Sequence, residues 1–146
     1  MSEERSDADF LAAFEEGTLP RPEWTHAAHL RMAYLYLNGL PNAEMWLPVI
    51  RRRIQFYNAA HGNPGGYHET ITAAFTRLVA DRLRRAPCAC FADFRNANPD
   101  LFEGTTVLMR HYRRETLYSP EARAEFVPPD LEALSEPGDG KSPARL

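Results

Sequence analysis

Residues 25–39 have the sequence Thr-His-Ala-Ala-His-Leu-Arg-Met-Ala-Tyr-Leu-Tyr-Leu-Asn-Gly, and this stretch decides the fold class. Its histidines and apolar residues recur every three or four positions, which is the spacing of one face of an α-helix. Thr25 is a favourable N-cap residue and Asn38-Gly39 is a typical stop signal, so a helix is predicted between them. The predicted inner face consists of His26, His29, Leu30, Ala33, Tyr36, Leu37 and Leu40.

The same spacing on both sides of this stretch predicts further helices, and no segment has a convincing strand pattern. The predicted helices cover residues 6–16, 42–60, 67–85, 89–95 and 105–118, with a turn or two over 121–126. Pro48 falls inside the second of these, so the regular helix either begins near Leu47 or is kinked at the proline. The sequence therefore predicts an all-α protein, a single-domain orthogonal or bundle-like array of about six helices.

Length and composition limit the class of protein further. The chain has 146 residues, which fits one domain, predicted over residues 1–135. Residues 136–146 are rich in Pro, Gly and charge and are expected to form a disordered tail. The net charge of −3 argues against a nucleic-acid partner. No apolar run approaches the ~20 residues of a membrane span. The acidic N-terminus lacks the apolar segment of a signal peptide, so a cytoplasmic location is expected.

The two cysteines, Cys88 and Cys90, are one residue apart and are poorly placed to bond to each other. They are interpreted as two small apolar residues in a reducing compartment. The alternative is a pair of thiolate metal ligands, but no second cysteine pair completes a structural zinc site.

Two short segments concentrate the residues that could support chemistry. The first is Trp24-Thr-His-Ala-Ala-His-Leu30, and the second is Tyr67-His-Glu-Thr-Ile-Thr72. His26 and His29 are neighbours on one helix face because they are three residues apart. His68 heads the apolar stripe of its own predicted helix. If the helices form two antiparallel hairpins, the second and fourth helices, which carry the two motifs, run parallel. Their N-termini then lie at the same end, and all three imidazoles converge there.

Several kinds of site would suit this convergence. Three imidazoles could hold a divalent metal ion, Zn²⁺ first and Fe, Ni or Cu as alternatives, and leave a position open for water or substrate. A two-histidine, one-carboxylate set with Glu69 would suit Fe(II), although Glu69 is one residue out of phase. Two helix N-termini could instead bind an anion. A metal-free acid/base site and purely structural histidines are the remaining alternatives.

Other residues near these motifs are candidates for supporting roles. Glu69 and His111 are predicted to transfer protons, and His111 could also be a further metal ligand. Trp24, Tyr67 and Thr72 are predicted to contact the substrate, with packing and helix capping as their alternative roles.

At these residues the chain resembles a family of short bacterial helical proteins of uncertain function. They share an aromatic-Thr/Asn-His-x-x-His-hydrophobic segment followed, after a Gly-containing loop, by Tyr-His-x-Thr-x-Thr. The resemblance covers roughly residues 10–135. It implies that the two motifs form one site, and it implies no particular reaction.

Three classes of function follow from these observations. The first is a metal-dependent enzyme that acts on a small molecule through His26, His29 and His68. The second is a non-enzymatic module that binds a small molecule or an anion in the same polar pocket. The third is a structural or interaction protein, and a homodimer is compatible with a small helical chain.

Overall fold

A computed structural model of the chain describes residues 5–134. Within that range there are seven α-helices and no strand, so the prediction of an all-α array is confirmed. The helices are α1 (Asp7–Glu16), α2 (His26–Gly39), α3 (Trp46–Ala60), α4 (Glu69–Arg85), α5 (Phe91–Ala97), α6 (Arg114–Leu117) and α7 (Pro120–Ala124). Short 3-10 helices cover Arg21–Glu23, Ala43–Met45, Pro99–Phe102 and Gly104–Arg110.

The first helices begin and end where their capping residues predict. The hydroxyl of Ser6 accepts a hydrogen bond from the Asp9 amide, and that of Thr25 accepts one from the Ala28 amide, at 3.1 Å each. Gly17 ends α1 with φ of 79°, a left-handed conformation that favours glycine. Helix α3 begins at Trp46, so Pro48 lies in its first turn and removes no intrahelical bond.

Two predicted helices differ from those observed. The predicted helix over 67–85 begins at Glu69 instead, and His68 is its N-cap. The predicted helix over 105–118 is wrong, because the chain forms a 3-10 helix, a turn and then the four-residue α6. The carbonyls of Arg110 and His111 accept hydrogen bonds from the amides of Glu132 and Leu131, and not from residues four positions ahead. A distant segment of the chain therefore completes this part of the backbone.

Helices α2, α3 and α4 pack against one another, with α1 on α3 and α7 on α4. One hydrophobic core extends from Phe10 in α1 to Leu134. No helix within residues 5–134 has both the length and the apolar character needed to span a bilayer. The predicted tail over 136–146 lies outside the described residues.

Candidate functional site

Two adjoining cavities lie between α2, α3 and α4. The first, here named the inner chamber, has a volume of about 320 Å³. Its walls are formed by His26, His29, Leu30, Met32, Ala33, Ile50, Ile54, Ile71, Thr72, Phe75, Thr76 and Thr105. The second, here named the vestibule, has a volume of about 460 Å³. Its walls are formed by Arg21, Trp24, His29, Ile54, Asn58, Asn63, Gly66, Tyr67, His68, Ile71, Thr72, Tyr118 and Arg123.

The two cavities share part of their walls, and His29 and Thr72 are the polar residues at the boundary. The inner chamber is mostly apolar, whereas the vestibule has charged and amide side chains. This combination of an apolar cavity with a few convergent polar groups is typical of small-molecule sites.

The imidazole of His29 is fixed in one tautomer and orientation. Its Nδ1 lies 2.7 Å from the carbonyl oxygen of Thr25, and because a carbonyl only accepts, Nδ1 carries the hydrogen. Its Nε2 therefore has a free lone pair in the neutral ring. The ring stacks on Trp24 with centroids 3.8 Å apart. Burial, with a smaller effect from nearby His26, lowers the pKa of His29 to about 4, so the ring is uncharged at neutral pH.

His26 has a similar arrangement with the opposite nitrogen. Its Nε2 donates to the carbonyl oxygen of Leu101 at 2.8 Å, which leaves Nδ1 as an acceptor. The ring also packs edge-on against Phe75, with centroids 5.2 Å apart. Two imidazoles of α2 thus contribute to the wall of the inner chamber, as the sequence spacing predicted.

His68 uses both of its ring nitrogens within the protein. Its Nε2 donates to the carbonyl oxygen of Leu117 at 2.9 Å, and its Nδ1 accepts from the Ile71 amide at 3.1 Å. The side chain is therefore the N-cap of α4, a role more often filled by Ser, Thr, Asp or Asn. Burial lowers the pKa of His68, since a charged ring would be desolvated.

The predicted donor set does not fit a metal centre in this arrangement. Among residues 5–134, no three His, Cys, Asp or Glu side chains lie where they could share a metal ion. His68 has no free nitrogen for coordination, which leaves at most two imidazole lone pairs, from His26 and His29. The zinc, iron, nickel or copper cofactor therefore stays a prediction without a donor set in the described structure.

The predicted catalytic residues Glu69 and His111 line neither cavity. Glu69 accepts two hydrogen bonds from Arg51, at 2.9 and 2.7 Å, and one from Tyr67 Oη at 2.7 Å. The bonds from Arg51 keep the pKa of this carboxyl below its usual range. His111 is buried, and its Nδ1 donates to the carbonyl oxygen of Glu132 at 2.8 Å. Glu69 instead lines a third cavity, of about 560 Å³, which shares Tyr67 and Arg123 with the vestibule, and the proton-transfer roles of Glu69 and His111 stay predictions.

The three predicted substrate contacts do lie in these cavities. Trp24 and Tyr67 line the vestibule, and Thr72 lines both cavities. Cys88 and Cys90 are free thiols that line neither cavity.

Several cavity residues have no clear signal in the sequence. Arg21 lies in a short 3-10 helix, Asn63 in a loop and Arg123 in the short helix α7, and only the tertiary fold brings them to the vestibule. Asn58 has a signal in the sequence, because it is a polar residue four positions after Ile54 and so falls on the inner face of α3. The structure shows that it is buried there.

Comparisons of this chain with protein-family models, with curated proteins and with solved structures found no match. The resemblance to the short bacterial family consequently stays a prediction.

Proposed function

We propose that this protein binds a small, mainly apolar molecule in the inner chamber, without catalysing a reaction, and holds its polar groups at His29 and in the vestibule. The observation that supports this proposal most directly is the shared wall between an apolar chamber and a polar vestibule. A chamber of about 320 Å³ lies within the size range of ligand pockets, and burial of apolar surface would supply the binding free energy.

The acid/base properties of the site favour binding over proton-transfer catalysis. An efficient general base has a pKa near the working pH, whereas the pKa of His29 is lowered to about 4. Glu69 is occupied by Arg51 and Tyr67, and His111 lies elsewhere. None of His29, Glu69 and His111 is therefore placed and tuned to move protons to or from a ligand in these cavities.

The anion-binding alternative at the two helix N-termini has less support. The amide of Ala28 in α2 is occupied by Thr25, and the amide of Ile71 in α4 is occupied by His68. These caps satisfy donors that an anion would need. A charged group of the ligand would instead meet the arginines of the vestibule.

The proposal predicts ligand-dependent thermal stabilisation that survives EDTA, with indole and 2-naphthol as probes. Ala33→Phe should abolish the stabilisation because Ala33 is a buried residue of the chamber wall. Ala92→Phe is the control, since Ala92 is exposed and lines neither cavity. Thr76→Met is a second filling variant, for use if Ala33→Phe does not fold. Equal stabilisation of the parent, the filling variants and the control would contradict the proposal.

The metal-dependent alternative is tested in the same experiment. Metal content is measured on protein purified without a histidine tag and then titrated with Zn²⁺, Fe²⁺, Ni²⁺ or Cu²⁺. We expect no stoichiometric metal. We also expect EDTA to leave the thermal stabilisation by indole and 2-naphthol unchanged. Stoichiometric metal, lost in His26→Ala and accompanied by EDTA-sensitive probe binding, would favour the metal-dependent enzyme instead.

A further inference from the structure

We infer that the ligand is an amphiphilic acid, which donates a hydrogen bond to the imidazole of His29 from an inner hydroxyl or N–H group and places an anionic group in the vestibule. This inference rests on the proposed function and narrows its ligand class. It follows from the directions in which the N–H and O–H groups of the chamber wall donate, and from the charges around the vestibule.

The polar side chains of the inner chamber have their hydrogens directed into the protein. The ring N–H of His26 donates to the Leu101 carbonyl, and that of His29 donates to the Thr25 carbonyl. The hydroxyl of Thr72 donates to the His68 carbonyl at 2.8 Å, and that of Thr76 donates to the Thr72 carbonyl at 2.8 Å. The sides of these groups that remain available are lone pairs.

Thr105 is the exception among the described polar residues of the chamber. Its hydroxyl and that of Tyr118 share a hydrogen bond of 2.8 Å in which either can be the donor. The other polar groups present acceptors only. A ligand group that also only accepts would leave both itself and the protein acceptor without a hydrogen bond in an apolar cavity. Such unpaired buried groups weaken binding, so the chamber selects for a ligand hydrogen-bond donor.

The vestibule has the charges that suit the other end of such a ligand. Arg21 and Arg123 line it, and no carboxylate is among its described lining residues. One guanidinium nitrogen of Arg123 donates to the carbonyls of Gly65 and Tyr67 at 3.1 Å each, which fixes the position of this positive charge. Asn58 and Asn63 add amide groups. A carboxylate or another anion is the ligand group that this electrostatic environment favours.

Three probes of one shape separate these two features. They are 6-hydroxy-2-naphthoate, 6-methoxy-2-naphthoate, which lacks the donor, and 2-naphthol, which lacks the anion. Measured by calorimetric titration, the hydroxy acid should bind about tenfold more tightly than the methoxy acid, because only the hydroxy acid can donate to the lone pair of His29. It should also bind more tightly than 2-naphthol, and this second preference should weaken as salt is added.

Two variants assign these preferences to residues. His29→Phe keeps a flat ring against Trp24 but removes the acceptor, so it should reduce the preference for the hydroxy acid to about twofold or less while methoxy-acid binding persists. Arg21→Met should reduce the preference for the hydroxy acid over 2-naphthol. It should leave the preference for the hydroxy acid over the methoxy acid intact. No carboxylate partner of Arg21 is found within residues 5–134, so this change breaks no ion pair of the described structure.

The outcomes distinguish this inference from the function on which it rests. If none of the three probes binds, the proposed function itself is overturned. If the hydroxy and methoxy acids bind equally, or if His29→Phe keeps the full preference, a ligand pocket exists but its assigned donor polarity is wrong. If 2-naphthol binds as tightly as the hydroxy acid at low salt, the anionic part of the inference is wrong.

Discussion

His29 illustrates how much one side chain can be constrained by its neighbours. The Thr25 carbonyl fixes the tautomer, the Trp24 ring fixes the plane, and burial keeps the ring neutral. A histidine with its Nδ1–H held by a backbone carbonyl presents Nε2 as a stationary acceptor. Such an acceptor is suited to recognising a ligand because it loses little freedom on binding.

The lowered pKa of His29 makes the stability of the protein depend on pH. In the unfolded chain the group titrates near 6.5, and in the folded protein near 4, so the unfolded chain binds more protons between these values. The stabilisation of the folded protein that comes from the lowered pKa of His29 is therefore present above about pH 6.5 and is lost as the pH falls toward 4. Between about pH 7.5 and 5 this loss amounts to about 2 kcal/mol, and His68 adds to it in the same direction.

Urea denaturation at several pH values measures this effect. His29→Gln should show a smaller loss of unfolding free energy over that range than the parent. His61→Gln is the matched control, because it replaces a histidine that lines neither cavity and leaves His29 in place. The range above pH 5 avoids the titration of the carboxylates. An identical pH dependence in His29→Gln and the parent would show that His29 is not the group responsible.

At the scale of elements, the N-terminus of α4 is anchored on two sides. His68 caps the helix and bonds to Leu117, while Glu69 bonds to Arg51 of α3. Tyr67 adds a hydrogen bond to the same carboxylate. The wall between the vestibule and the rest of the protein is thus built from polar contacts between elements, which hold α4 against α3.

Arg51→Met should destabilise the protein because it leaves the buried carboxylate of Glu69 with one hydrogen-bonding partner. Only about 8% of Glu69 is exposed, so the expected loss at neutral pH is about 1–3 kcal/mol. The loss should shrink as the pH falls toward 4, since the unpaired carboxyl can then take up a proton. Chemical denaturation of Arg51→Met and of Arg52→Met, an exposed neighbour, gives the comparison, and equal stability of the two variants would contradict this account.

The elements that the sequence predicted well are those whose signals are local. Thr25, Gly17 and Pro48 act within one turn of the helices that they begin or end, so their effects can be inferred without the fold. The helix over 105–118 was mispredicted because its carbonyls bond to residues 131 and 132. A periodicity argument contains no information on a partner about 20 residues away in the sequence.

At the scale of the whole molecule, α4 is the element around which the others are arranged. It contacts α2 and α3 on the cavity side and α7 elsewhere. Its Thr70 is fully buried, donates to the Glu125 carbonyl at 2.9 Å and accepts from the Val127 amide at 3.1 Å. The segment that follows α7 is thereby fastened to the central helix.

Thr70→Val should be destabilising although it preserves shape. It leaves the Glu125 carbonyl and the Val127 amide without their side-chain partner, at a cost of about 1–3 kcal/mol for the two hydrogen bonds. Thr76→Val is the matched control in the same helix, since the Thr72 carbonyl that Thr76 bonds to is already positioned to accept within the helix. Urea midpoints compare the two, and a similar loss in both variants would argue against a special role of Thr70.

The location of the candidate site was predictable at this scale, but its chemistry was not. Helical phase alone predicted that the two motifs lie together, and His26, His29 and His68 do line adjoining cavities. Which ring nitrogen remains free depends on the carbonyls of Leu101, Thr25 and Leu117. Two of those three carbonyls lie more than 40 positions from the histidine in the chain, so no motif could have shown them.

The attachment of residues 125–132 to Thr70 of α4 and to Arg110 and His111 also affects how the protein is made. Helix α4 is synthesised well before Val127 and Leu131, yet Thr70 and His111 need that later segment for their hydrogen bonds. A nascent chain that has emerged from the ribosome only through α6 therefore exposes unsatisfied polar groups and apolar surface from the interior. We expect this protein to reach its native state only after residue 134 has left the ribosome.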